Sequence, residues 1–299
     1  MTKRNLLLTL LILLLPILIF AQEASGLKGA NTVWDMLLAP KYIAGFILII
    51  IQLAIFWSNK LSDKVRIISL VINFIMFGIY FPLHPSPICS FTKPFIYGLR
   101  TPFLAGIIFI GAFSLISSKG FCGTICPAGS LQELLYRINI FPKLRKKYFP
   151  FYISNVIRVG VALLFFAVVL LLGETIFAYF SLFELFHWSF DLPVNLLLIF
   201  IASLIIMLGA SLILFRPFCY YVCPVGLVTW LLEQVSFLKV RVDKEKCTQC
   251  GSCETEAPCP AMSDILNEKN IKADCHICGM CFSSCPENAI YFGNKNKQK

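Results

Sequence analysis

Charged residues are scarce in this chain: 14% of 299 residues, against 58% that are hydrophobic. A soluble domain carries about 25% charged residues, so that deficit, with a mean hydropathy of +0.79, argues against a wholly soluble protein. The net charge is +10, yet no basic groove interleaved with aromatics and no nucleic-acid motif accompanies it. Nucleic acid is therefore excluded as a partner, and the excess of lysine and arginine reads as the bias of cytoplasmic loops. The loop from Glu174 to Pro193 has no lysine or arginine at all, which places it on the outer side of a bilayer.

Apolar runs fill most of the chain. Lys3 and Arg4 precede an apolar stretch from Leu6 to Phe20 and then Ala21-Gln22. This has the order of a signal peptide, with a retained anchor as the alternative. Pro16 and the shortness of the run favour cleavage. Five further spans are expected at about 42–58, 66–82, 102–118, 152–173 and 193–215, each long enough, or nearly so, to cross about 30 Å of hydrocarbon. Lys60, Lys64 and Arg66 mark one inner loop, and Arg137, Lys143, Arg145, Lys146 and Lys147 another. The segment after the last span, from Lys239 on, then falls in the cytoplasm.

The body repeats itself. Ser114-Leu115-Ile116, then Phe121-Cys122 and Cys126-Pro127-Ala128-Gly129, recur 97 residues later as Ser211-Leu212-Ile213, Phe218-Cys219 and Cys223-Pro224-Val225-Gly226, and Lys119 aligns with Arg216. Each half thus ends in a C-x3-C-P motif at the inner edge, followed by an amphipathic stretch, Leu131–Ile140 or Leu227–Leu238, expected near the membrane surface. Membrane repeats often share a site at their interface. Cysteines four apart on a helix lie on one face, so Cys122, Cys126, Cys219 and Cys223 can supply four soft ligands suited to an iron–sulfur cluster or Cu(I). Reduced structural cysteines and disulfides are the alternatives.

The thirteen cysteines are otherwise concentrated in the tail. It reads Cys247-x2-Cys250-x2-Cys253-x5-Cys259-Pro260 and then Cys275-x2-Cys278-x2-Cys281-x3-Cys285-Pro286. A C-x2-C-x2-C loop wraps three thiolates round an iron–sulfur cube, and the distant C-P supplies the fourth to the other cube. One [4Fe–4S] cluster is assigned to Cys247, Cys250, Cys253 and Cys285, the other to Cys275, Cys278, Cys281 and Cys259. Zinc, which also takes four thiolates, is the alternative that two complete sets with trailing prolines disfavour. Gly251 and Gly279 stand where each loop turns tightly, and Asn288-Ala289-Ile290 fits a closing strand. The five residues before Cys259, where three is usual, alter its loop. A tail this small cannot bury a normal core and needs such staples.

This combination resembles the NapH-type ferredoxin membrane proteins, relatives of the membrane half of NosR-type proteins. The resemblance spans about residues 45–292 and implies a quinol dehydrogenase or electron-transfer subunit joining the quinone pool to other redox partners. It carries over to the four motif cysteines and the eight tail cysteines. The chain departs from the pattern by an extra segment and span before residue 60, and it has no flavin-binding outer domain. Copper-handling maturation factors carry similar motifs but usually continue into a further domain, whereas this chain stops at Lys299; a redox-sensing scaffold is the remaining alternative.

The expected organisation is therefore an α-helical multi-pass body with a C-terminal α+β ferredoxin-like domain: 1–21 signal peptide or anchor, 22–238 body, 239–293 two-cluster domain, 294–299 basic tail. His84 and His187, near outer span ends, are candidates for a quinone site, with interfacial anchoring as the alternative reading. Cys89 is expected to be a packed small residue. His276, between cluster ligands, is expected at the surface.

Overall fold

The structure, a computed structural model, describes residues 33–58, 62–81, 86–98, 100–138, 140–141, 150–172, 182–183, 194–269 and 271–294. His84 and His187 lie outside the described residues, as do residues 1–32 and most of the lysine-rich loop at 142–149.

The chain is mainly helical. Helices α1 (Val33–Leu37) and α2 (Pro40–Trp57) lead to α3 (Asp63–Phe74), which widens into a π-helical turn at Ile75–Tyr80. Short α4 (Pro87–Thr92) and α5 (Pro94–Tyr97) precede α6 (Thr101–Ile116), α7 (Gly120–Thr124) and α8 (Pro127–Ile138). Then come α9 (Phe151–Leu172), α10 (Val194–Ser211), a second π turn at Phe218–Val222 and α11 (Pro224–Gln234). The tail holds β1 (Lys239–Val242), α12 (Ser252–Glu256), α13 (Ala261–Leu266), α14 (Met280–Ser283) and β2 (Ile290–Gly293).

Local chemistry sets these boundaries. Pro40, Pro87, Pro94, Pro127 and Pro224 each open a helix, where the missing N–H costs nothing and the ring pre-sets φ. Ser62 caps α3 by accepting from the Val65 N–H, and Ser86 caps α4 by accepting from the Cys89 N–H. Cys89 itself is half-buried.

Two helices, Pro40–Trp57 and Phe151–Leu171, are long and apolar enough to cross a membrane, and Thr101–Ile116 and Leu197–Ser211 are shorter apolar helices. The outward face of α9 is apolar, with Leu163, Leu164, Leu170 and Leu171 all exposed. A surface of that kind belongs against lipid rather than water.

One apolar core lies within the body, where Phe109 packs edge-on against Tyr42, Phe46 and Phe113. A second is shared: Phe56, Tyr136, Phe215 and Tyr220 of the body pack with Val240, Met262, Ile265, Ile277, Ile290 and Phe292 of the tail. The tail so borrows apolar surface that it cannot supply by itself. Its two strands pair antiparallel, Val240 opposite Phe292 and Arg241 opposite Tyr291. That pairing brings together the strands that flank the eight cysteines.

Candidate iron–sulfur centres

The tail cysteines fall around two cavities. A cleft of about 870 Å³ is lined by Cys247, Cys250, Cys253 and Cys285. A smaller pocket is lined by Cys259, Cys275, Cys278 and Cys281; Cys275 also borders the larger cleft. The thiols also act on one another. Burial raises the Cys253 thiol, and Cys285, Cys247 and Cys250 raise it further. Burial pushes the Cys281 thiol well up, and Cys278, Cys259 and Cys253 push in the same direction.

Backbone geometry makes the loops. Gly251 and Gly279 have φ of +73° and +79°, a region that favours glycine because it has no Cβ. Gln249 and Ile277, two residues earlier in each loop, also adopt positive φ, so both wraps turn twice around their second cysteine. The Ala289 N–H points at Cys285 Sγ, 3.3 Å away.

The body cysteines meet as well. Cys122, Cys126, Cys219 and Cys223 are all buried. Burial pushes the Cys126 thiol well up, and Cys219, Cys122 and Cys223 push in the same direction. Burial raises the Cys219 thiol to about 11 although Arg216 opposes the rise. Thiols held so high stay protonated while free, so loading a metal here releases protons. The motifs are not plain α-helical turns. The Cys126 N–H bonds Phe121 O at 3.1 Å and the Cys223 N–H bonds Phe218 O at 2.8 Å, each five residues back. A π-type turn of this sort is frequent at functional sites. The proline after each motif then starts α8 or α11, and the Gly129 N–H of that first turn faces Cys126 Sγ at 3.5 Å.

Contacts across the halves are reciprocal. Cys122 Sγ lies 3.7 Å from Thr229 Oγ1. Cys219 Sγ lies 3.7 Å from Gln132 Oε1. Gln132 and Thr229 are separated by the same 97 residues as the cysteines.

Around the quartet stands a network of buried charge. Glu133 accepts from Arg66 at 2.9 Å and from Arg216 at 2.5 Å, and Arg137 reaches it from one helical turn on. Burial alone would raise its carboxyl, but Arg66, Arg216 and Arg137 together hold it down at about 2. Asp274 of the tail accepts from Arg158 at 3.0 Å and also pairs with Lys119. Glu233 accepts from the Cys275 N–H at 3.0 Å. Helix α8 thus buries Gln132 and Glu133 completely, so its polar face is packed into protein.

His276 corrects the sequence expectation: it is only 1% exposed. Its ring packs on Tyr220 with centroids 4.7 Å apart, because the loop carrying it docks against Gly123. A Cβ on Gly123 would overlap the His276 carbonyl oxygen. Sequence reasoning also passed over Arg158, Glu133 and Asp274. A lone arginine in the apolar run of α9 was the available signal, since charge inside such a run is costly and needs a partner.

Does this donor set fit iron–sulfur cubes? Among the described residues no three His, Cys, Asp or Glu side chains converge on a point that would hold one metal ion. The tail thiols instead line two cavities, and the four body thiols are buried and act on one another, a donor chemistry that suits iron–sulfur clusters.

Comparison with known proteins decides the family. The model of a 4Fe-4S binding domain matches residues 99–148 and 196–244, the two stretches that carry the C-x3-C-P motifs; neither match reaches Cys247. An uncharacterized protein of Methanocaldococcus jannaschii is 31% identical over 218 residues, covering 71% of this chain and 80% of that protein. The putative electron transport protein YccM of Escherichia coli is 29% identical over 196 residues, 61% of this chain and 54% of YccM. The ferredoxin-type protein NapH of Haemophilus influenzae is 24% identical over 209 residues, 64% of this chain and 68% of NapH.

The chain belongs to the NapH-type polyferredoxin family. No solved structure matches it. As in the family model, this NapH-type chain binds iron–sulfur clusters.

Proposed function

We propose that this NapH-type protein is a multi-pass membrane electron carrier that passes electrons between the quinone pool and other redox subunits. Two [4Fe–4S] clusters sit in the tail, one on Cys247, Cys250, Cys253 and Cys285, the other on Cys275, Cys278, Cys281 and Cys259. A third iron–sulfur centre is held by Cys122, Cys126, Cys219 and Cys223, at the junction of two related membrane halves. The tail lies on the cytoplasmic side, by the bias of lysine and arginine in the loops. When bound, the clusters supply reversible one-electron chemistry. The protein's own part is to hold them in line, keep water from the inner ones and leave the outer one within reach of a partner.

The observation that carries this reading is the arrangement of thiols. The outer set borders an open cleft with Cys250 exposed. The inner tail set lines a smaller pocket, and its loop touches the first body motif at Gly123. That is a chain of three sites from surface to membrane. The electron transport name of YccM and the ferredoxin-type name of NapH support the same direction of inference. The match of a 4Fe-4S model to both C-x3-C-P stretches favours iron over copper for the quartet.

The test is the iron and acid-labile sulfide content of the purified protein, with electron paramagnetic resonance after reduction by a quinol analogue. About twelve irons per chain and quinol-reducible signals are expected for three cubes. Zinc in place of iron, or clusters that no quinol analogue reduces, would sink the proposal.

A further inference from the structure

Lys119 and Arg216 stand at equivalent places, three residues before the first cysteine of each C-x3-C-P motif. Each reaches into the opposite half. Lys119 Nζ donates to Gly226 O at 2.8 Å, and Arg216 Nη1 donates to Cys122 O at 2.6 Å. Arg66 Nη2 donates to Gly123 O at 2.7 Å, and Arg158 Nη1 approaches Gly226 O at 3.4 Å. Four cationic side chains therefore grip the backbone of the two motifs, and none is more than 1% exposed.

Their partners do not balance them. Glu133 and Asp274 are the carboxylates that pair with these four cations. Four cations thus share two carboxylates. Uncompensated charge in a protein interior is strongly unfavourable. Several buried donors also lack an acceptor among the described residues: Arg66 Nη1, Arg158 Nε, Arg216 Nε and the ring N–H of His276, neither of whose nitrogens has a partner. Buried donors of this kind are normally satisfied. Both observations call for an anion. A cubane iron–sulfur core of two positive charges on four thiolates is a dianion, and its sulfurs accept hydrogen bonds.

We infer that Lys119, Arg216, Arg66 and Arg158 form a buried cationic cage that sets the reduction potential of the centre held by the body quartet above that of the exposed outer tail cluster. The inference rests on the reading that the quartet holds an iron–sulfur cluster. One electron from a reductant would turn such a dianion into a trianion with no bond made or broken, and the cage would stabilise the added charge. Because it lies out of water, salt screens it little. These four are positioning and potential-setting residues; they ligate nothing.

The test is potentiometric titration of the full-length holoprotein in detergent, with dithionite as reductant and paramagnetic resonance as readout. Single substitutions leave each carboxylate paired: Asp274 keeps Arg158 when Lys119 is changed, and Glu133 keeps Arg66 and Arg137 when Arg216 is changed. Lys119→Gln and Arg216→Gln are expected to lower the midpoint of the body centre by at least a tenfold change in the one-electron equilibrium, about 59 mV. The tail signals should stay in place. Lys119→Arg and Arg216→Lys should keep the parent midpoint, as should Lys244→Gln at the surface. If the Gln variants lose body iron while the charge-keeping pair retains it, the cage is likewise upheld as the compensating charge. Equal midpoints in Gln and charge-keeping variants, with iron retained, overturn the cage. An iron count of about eight in the parent protein removes instead the cluster reading on which it rests.

Discussion

The body quartet and the outer tail set use the same ligand type in opposite surroundings. All four body cysteines are buried, and the charge around them is buried too, with Glu133 held near 2 by three arginines. In the outer set Cys250 is exposed and Cys247 and Cys285 are half-buried. The nearby ion pair Lys244–Glu268 is open to solvent on both sides. Water screens charge around the outer set, whereas fixed side chains must supply all compensation around the quartet. Sensitivity to single substitutions should therefore concentrate inside.

The largest effects come from the ligands themselves. Cys219→Ser should remove the body centre, and Cys250→Ser the outer one, each lowering iron by about four atoms per chain. Separate loss of distinct resonance signals would sharpen the contrast. Loss of all three centres in either variant would break it.

Next comes the charge network. Glu133→Gln leaves Arg66 and Arg216 facing no carboxylate, and breaking a buried pair in this way costs about 3–5 kcal/mol. Thermal unfolding in detergent should show it, while Glu268→Gln at the exposed pair should leave the melting curve unchanged. The same carboxyl gives a pH signature. Its folded pKa of about 2 lies below the ordinary 4.5, so its stabilisation is present above pH 4.5 and is lost as pH falls through 2. Acid unfolding should lose that window in Glu133→Gln.

A smaller effect is expected at the junction of body and tail. Gly123→Ala forces a Cβ against the backbone carbonyl of His276, a fixed atom that has to shift, at about 1–3 kcal/mol for overpacking. Faster proteolysis of the tail would report it. Gly160→Ala in α9 meets open space and should instead stabilise by about 0.5–1 kcal/mol. A neutral Gly123→Ala would mean that the tail does not dock there.

Much of the molecule is legible in the order of its residues. Short spacings decide which cysteines share a loop, because a few residues of chain cannot reach far. Gly251 and Gly279 mark the turns, Pro127 and Pro224 the helix starts, and the apolar runs the positions of α2, α6, α9 and α10. The tertiary structure alone decides which charges meet. Lys119 joins Asp274, Arg216 joins Glu133, and His276 is buried on Tyr220 rather than exposed between cysteines. Local pattern carries no record of such pairings. They arise when segments remote in sequence pack together, and burial then makes each polar group depend on whichever partner the fold has brought within reach.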